Sequence, residues 1–515
     1  MTNNNSKSLE SWIWDAACAI RGAQDAPKYK DFILPLIFVK RLCDVFDDEV
    51  SRIADNVGTK EKALKLISKD RKLTRFYIPL RPENLDDSTW SIIRKLSTKI
   101  GEQLTELIRS IALENSRLQG IIDRIDFNAT THGQRDIDDD RLSNLIEEIS
   151  KKRLGLKDVE PDIIGRSYEY LIRKFAEGGG QSAGEFYTPM EVGLIMARIL
   201  DPEPGMEMYD PCTGSAGLLI KLQIALQEKM NLHSKTKYAP LKLFGQEYLP
   251  NTWAMANMNM VIHDMEGVIE IGDTMNNPKF REGNKLKKFD RVAANPMWNQ
   301  SIFTQKTYEN DELERFPAGF PPNGTADWGW VQHILASLNN TGRAAIVLDT
   351  GAVSRGSGNQ STNKEKEIRK WFVENDFIEG VLYLPENLFY NTSAPGIVLF
   401  LNRNKPTGKK DKILLINASK EFVKGQPKNY IPEEYQKKIV DTFLNWKEIE
   451  KFSKVIVKDE AVKNDYNLSP TRYIHTAEEE VYRPIGEILE ELKELEQESK
   501  DIDSELKTIF KKLGY

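Results

Sequence analysis

Asn295-Pro296-Met297-Trp298 concentrates side chains that can act on a planar base. The Asn295 amide oxygen and the Pro296 main-chain oxygen can each accept a hydrogen from an exocyclic amine, while Trp298 offers a stacking face. Accepting those hydrogens would help the nitrogen rehybridise and attack an electrophilic methyl group. Upstream, Asp210-Pro211-Cys212-Thr213-Gly214-Ser215-Ala216-Gly217 has the glycines of a tight strand-to-helix turn. The helix after such a turn points its amides into a crevice. The turn lacks the lysine of a phosphate-binding Walker loop, which disfavours ATP. Glu247 and Asp273 close the next two apolar runs. An acid at the second position can accept both ribose hydroxyls and one at the third an adenine amine, so the turn and the two acids outline an adenosine slot. Gly184-Glu185-Phe186-Tyr187-Thr188-Pro189 precedes a helical pattern from Met190, with Thr188 placed as N-cap and Pro189 at the first helical position. Its aromatic pair could embrace a small zwitterion. Each segment also has a plain structural reading: an ordinary turn, helix caps, core aromatics.

These residues need a scaffold that brings them to one edge. From about Gly184 short apolar runs alternate with helical stretches: Met206 to Tyr209, Leu241 to Phe244, Gly267 to Ile271, Phe289 to Ala294, Arg343 to Leu348, Ile378 to Leu384, Ile397 to Leu401 and Ile413 to Ile416. Such alternation predicts an α/β fold with a mostly parallel, doubly wound, Rossmann-like sheet. Asn295 then lies at the carboxyl edge, where this architecture places its ligands. Leu9 to about Asp162 has apolar residues at helical spacing (Trp12, Ala16, Ala19, Ile20; Leu104, Leu107, Ile108, Ile111). A final helical stretch carries the heptad seam Ile485, Ile488, Leu492, Leu495, Ser499, Ile502, Leu506, Ile509 and Leu513, with Pro484 just before it. The expected domains are a helical 1–162, a catalytic 163–468 and a helical tail 469–515.

In the order Gly184 to Pro189, Asp210 to Gly217, Glu247 with Asp273, and Asn295 to Trp298, the motifs resemble the modification subunits of type I restriction-modification systems. These are DNA adenine-N6 methyltransferases that use S-adenosylmethionine, and the resemblance covers nearly the whole chain. It implies that Glu185, Phe186, Tyr187, Thr188, Pro189 and Met190, together with Ser215, Ala216 and Gly217, surround the cofactor's methionine end. Asp210 and Gly214 would shape the same pocket, Glu247 would hold the ribose and Asp273 the cofactor's adenine. Asn295, Pro296 and Trp298 would act on an adenine swung out of double-stranded DNA. The family pattern is Asn-Pro-Pro-aromatic. Met297 stands in place of the second proline, removing a restraint on Pro296 while keeping both acceptors. Thr325 to Trp330 resembles the family's next motif, lining the base pocket. The resemblance further implies a separate specificity subunit, a second copy of this chain and a restriction subunit that translocates DNA.

Composition agrees with a folded catalytic chain that does not grip DNA alone. Its 515 residues, 40% hydrophobic and 29% charged, suffice for more than one core. With 72 basic and 78 acidic residues the net charge is −6, so a polyanion needs help from another chain. The run Lys279 to Arg291 holds six bases and two acids and is a candidate phosphate contact; Ala477 to Glu505 holds twelve acids and three bases. Three scattered cysteines suggest a reducing, cytoplasmic setting, no metal site is expected, and no run approaches the roughly 20 apolar residues of a membrane span. Cytosine-C5 chemistry would need Cys212 as nucleophile, which its position inside the cofactor turn argues against. Cytosine N4 or protein glutamine as acceptor, and a catalytically inactive structural subunit, stay open on residues alone.

Overall fold

In the computed structural model, residues 9–18, 26–159, 165, 167–171, 174, 188–232, 237–358, 363–389, 392–426, 428–475 and 485–513 are described. The eight apolar runs become strands of one nine-stranded sheet, joined by a ninth: β1 Glu207–Asp210, β2 Lys242–Glu247, β3 Gly267–Ile271, β4 Phe289–Ala294, β5 Leu338–Asp349, β6 Ile378–Tyr383, β7 Gly396–Asn402, β8 Lys412–Asn417 and β9 Ser453–Val457. Their spatial order is β9-β8-β6-β7-β5-β4-β1-β2-β3. The half from β3 to β5 is parallel throughout, as is β6 with β8. β7 runs antiparallel between β5 and β6, and β9 antiparallel at the edge. All seven residues of β7 are buried, as an interior strand covered on both faces requires. The sequence pattern missed β9, in which Ser453 and Lys454 leave an apolar run of only three residues, Val455 to Val457.

Strand order reverses between β1 and β4, which makes the crevice beyond their carboxyl ends the switch point of the sheet. Helices Met190–Leu200, Gly217–Leu232 and Pro250–Ile262 pack apolar residues against the sheet, including Ile195, Leu219 and Met260. Helix Asp327–Ser337 lies in a separate apolar cluster with β4, β5 and β7.

The amino-terminal part is built around helix Ala26–Val57, whose Ile33 to Val39 is buried without interruption. A helix apolar on all sides must be a core element. Its charged residues find partners inside: Lys40 pairs with Asp44, and Arg41 donates to the carbonyl of Gly155 at 2.8 Å. Met255, Met258 and Ile262 of helix Pro250–Ile262 share this cluster, which joins the helical part to the sheet. The region is less uniformly helical than the spacing suggests. Pro79 and Pro82 fall in a non-helical stretch, and a small hairpin pairs Thr130–Thr131 with Gln134–Arg135. The first compact unit runs to Ile474, the second from His475. In the second, Ile485–Leu513 is one continuous helix that leaves Leu492, Leu495, Ile502 and Leu506 exposed. Pro484 lies outside the described residues. Among the described residues, no helix is long and apolar enough to cross a membrane.

Candidate active site

Strand register brings the motifs together. Tyr209 lies opposite Val292, so continuing both parallel strands by three residues sets Cys212 beside Asn295. Asp210 lies opposite Gly245, which puts Glu247 level with Cys212 on the other side. The turn after β1 therefore sits between the acid ending β2 and the amide following β4.

The turn is pinned from several directions. Gly214 adopts φ +54°, which suits glycine, whereas Ala216 adopts φ +64° with a side chain. Ala216 is fully buried, and the Asn259 amide donates to the Ser215 carbonyl at 2.9 Å, so packing holds the strained position. The Glu247 carboxylate accepts from the Gly214 amide and the Leu249 amide, each at 2.9 Å. Asp273 accepts from the amides of Met275 and Asn276 at 2.9 and 3.1 Å, so it caps its own turn while standing at the end of β3. Burial, with a smaller push from Glu247, raises the Asp210 carboxyl to about 7. The Cys212 thiol is driven well above its ordinary value by burial, then by Asp210 and Glu247, which disfavours the thiolate that a nucleophile requires.

Thr188, Pro189 and Met190 line a small cleft together with Asp210, Cys212, Gly214, Ser215 and Gly217. Ala216 is itself buried. Pro189 is the N-cap of helix Met190–Leu200, and no side chain caps that helix. The Thr188 hydroxyl, expected to cap it, instead accepts from Asn295 Nδ2 at 2.9 Å. This bond ties the lining of the cleft to the loop that follows β4. Asn295 Oδ1 is buried with no hydrogen-bond partner among the described residues. A buried acceptor left unpaired is costly, and it is suited to a ligand that brings its own donor. Glu185, Phe186 and Tyr187 lie outside the described residues.

The remainder of the loop 295–299 is held by groups of which the sequence reading had singled out only Asp327, within Thr325 to Trp330. Trp298 meets Phe389 edge to face at 4.9 Å. Gly396 admits the indole, since a Cβ there would lie 2.9 Å from the ring. Asn299, at φ +52°, donates its amide to Asp327 at 3.1 Å. Arg355 then joins four groups: Asp327, Asp349 and Glu365 through ion pairs of 2.5–2.7 Å, and Asn299 Oδ1 at 3.1 Å. No spacing in the sequence marks this cluster, because its members come from four separated segments. Trp328 and Trp330 are core residues whose ring nitrogens donate to Ala352 and Gln300, and Asp327 accepts from the Asn299 amide. The basic run Lys279 to Arg291 includes a small hairpin, Arg281–Glu282 with Lys285–Leu286, and enters β4 at the end opposite Asn295. Lys287 pairs with Glu207 and Arg291 donates to the Leu200 carbonyl, so much of this charge is spent internally.

Residues 159–481 match the N-6 DNA Methylase family. The chain belongs to that family. Residues 9–149 match the HsdM N-terminal domain. The chain is 38% identical over 352 residues to the methylase subunit of type I restriction enzyme MjaVIII of Methanocaldococcus jannaschii, covering 66% of this chain and 58% of that one. It is 31% identical to the MjaIX methylase subunit of the same organism over 98% of this chain and 92% of that one. The chain thus spans less than two thirds of the first relative and nearly all of the second. The methyltransferase subunit of a type I restriction-modification system from Streptococcus thermophilus superposes with a TM-score of 0.75 at 26% identity, covering 91% of this chain and 99% of that one. For this N-6 DNA methylase family member, the α/β fold with a mostly parallel sheet and a helical amino-terminal part is as the sequence predicts.

Proposed function

We propose that this chain is the modification subunit of a type I restriction-modification assembly. It transfers a methyl group from S-adenosylmethionine to the N6 amine of an adenine extruded from double-stranded DNA, with site recognition supplied by a separate specificity subunit. The observation that carries this reading is Asn295. Its amide nitrogen is fixed by Thr188, its oxygen is unspent, and Thr188 also lines the cleft at the switch point. The residues present fit the cofactor: a glycine turn, the carboxylate of Glu247 beside it and a buried unpaired acceptor. Thr188 to Met190 and Ser215 to Gly217 would hold its methionine end, Asp210 and Gly214 would shape the pocket, Glu247 would hold the ribose and Asp273 the adenine.

When bound, the cofactor supplies a methyl group made electrophilic by a sulfonium. Asn295 Oδ1 and the Pro296 carbonyl accept the two hydrogens of the target amine and aim its lone pair at that methyl. The amine, once methylated, would carry one surplus proton, which would pass to solvent, and the cofactor would leave as its neutral thioether. Extruding the base costs roughly a few kcal/mol, which Trp298 offsets by stacking on it. With a net charge of −6 the chain relies on partners to hold the duplex. These are the specificity subunit, a second copy of this chain and a restriction subunit, assembled in the cytoplasm. The exposed apolar seam of Ile485–Leu513 fits a helical partner surface, here assigned to the specificity subunit. Truncation after Ile474 should release that subunit on size-exclusion chromatography; an intact complex would overturn the assignment. Asn295→Ala should keep cofactor affinity within a few-fold and abolish labelled methyl transfer to DNA in the assembled complex. Full activity would refute the proposed role.

A further inference from the structure

Two charged side chains line the same cleft and have no part in the roles given above. Lys221, on helix Gly217–Leu232, and Glu169 are each more than nine-tenths buried. The lysine donates to both carboxylate oxygens, at 2.7 and 2.6 Å. An ammonium has three hydrogens, so one remains without a partner among the described residues. His263 approaches the same carboxylate, with Nε2 at 3.8 Å. Helices Met190–Leu200 and Gly217–Leu232 both begin at this cleft, and helix starts favour a carboxylate.

A buried ion pair draws little net stability from its own contact, because desolvation cancels most of the attraction. Placed on the wall of a ligand cleft, the pair presents a cation and an anion side by side. A ligand with an α-ammonium and an α-carboxylate on one carbon complements that arrangement and brings no net charge into the site. We propose that Glu169 and Lys221 are the receptor for the amino-acid end of the cofactor. Glu169 accepts from the α-ammonium, and the remaining hydrogen of Lys221 goes to the α-carboxylate, which the helix amides also face. This inference rests on the S-adenosylmethionine reading above and adds residues that the four sequence motifs do not contain.

The test compares two neutral thioethers that differ only in this end, S-adenosylhomocysteine and 5′-methylthioadenosine, by titration calorimetry on the full chain. The wild-type protein should prefer S-adenosylhomocysteine by about tenfold to a hundredfold, the scale of hydrogen bonds to charged groups. The apolar pair Glu169→Met with Lys221→Met should bring the ratio close to one while 5′-methylthioadenosine affinity is kept. If this variant does not fold, the polar, uncharged pair Glu169→Gln with Lys221→Gln keeps a hydrogen bond between the same positions, removes both charges and should lose the preference too. A preference unchanged in the folded variant overturns the inference. A wild-type protein that binds neither thioether nor S-adenosylmethionine overturns the cofactor reading instead.

Discussion

Thr188→Val tests how the reacting amide is oriented. Valine has nearly the shape of threonine, so the change removes the hydroxyl that accepts from Asn295 Nδ2 at 2.9 Å and little else. Asn295 is only 8% exposed, so the abandoned N–H cannot be repaired by bulk water. Leaving a buried donor unpaired costs about 1–3 kcal/mol. The bond also selects between two orientations of the amide. Without it, the flipped form turns an N–H towards the target amine in place of an acceptor. Spending that energy in the transition state slows transfer by about tenfold to a hundredfold, at 1.36 kcal/mol per factor of ten. Single-turnover transfer of labelled methyl to duplex DNA in the assembled complex reads the rate, and calorimetry reads cofactor affinity. The rate should fall much more than the affinity, and Thr188→Ser should restore it. A Val variant with an undiminished rate, or a Ser variant as slow as Val, would refute the reasoning.

Other expectations rest on separate contacts. The Asp210 carboxyl, raised to about 7 mainly by burial, contributes stability below its unfolded pKa near 3.9 that is lost as pH rises through 7. The advantage of Asp210→Asn over wild type, measured by urea unfolding without ligand, should therefore grow by about 3 kcal/mol between pH 5 and pH 8, from two pKa units at 1.36 kcal/mol each; a pH-independent difference would discredit it. Gly396→Ala puts a Cβ 2.8 Å from the Phe389 ring and 2.9 Å from Trp298. It should cost about 1–3 kcal/mol in thermal unfolding and slow transfer, and an unchanged melting temperature would contradict that. Arg355→Met leaves the buried Asp327 and Glu365 without their cation, and should cost about 3–5 kcal/mol and lower kcat. Arg355→Lys should recover part of the stability but less of the rate, since an ammonium lacks the fork that joins Asn299 to Asp327; equal recovery of both would count against a positioning role.

Strand positions were legible as short apolar or β-branched runs: Phe289–Ala294, mostly buried, and Gly267–Ile271, a largely exposed edge strand marked by Val268, Ile269 and Ile271, carry the bounds that the pattern gives. Helix Met190–Leu200 likewise starts where its spacing begins. The edge strand Ser453–Val457 was illegible because Ser453 and Lys454 cut its apolar run to three residues. Thr188 shows how a local rule can name the right residue and the wrong partner. Threonine before a helix is a natural cap, but the hydroxyl was claimed by Asn295, 107 residues away in sequence.

The sequence alone determined which types of group this protein can present and on which elements: a turn with glycines after the first strand, acids closing the next two, and an amide, a carbonyl and an indole after the fourth. Those are local facts, dictated by periodicity and by the conformations that glycine and proline allow. Only the tertiary structure decided which atoms are spent and which are left available. Parallel register put Cys212 beside Asn295, Thr188 took the amide nitrogen and left its oxygen unpaired, and Arg355 drew four distant groups together around the reacting loop. The reason is that a hydrogen bond depends on position to within a few tenths of an ångström, and position across such sequence separations is set by packing and register, which no local pattern records.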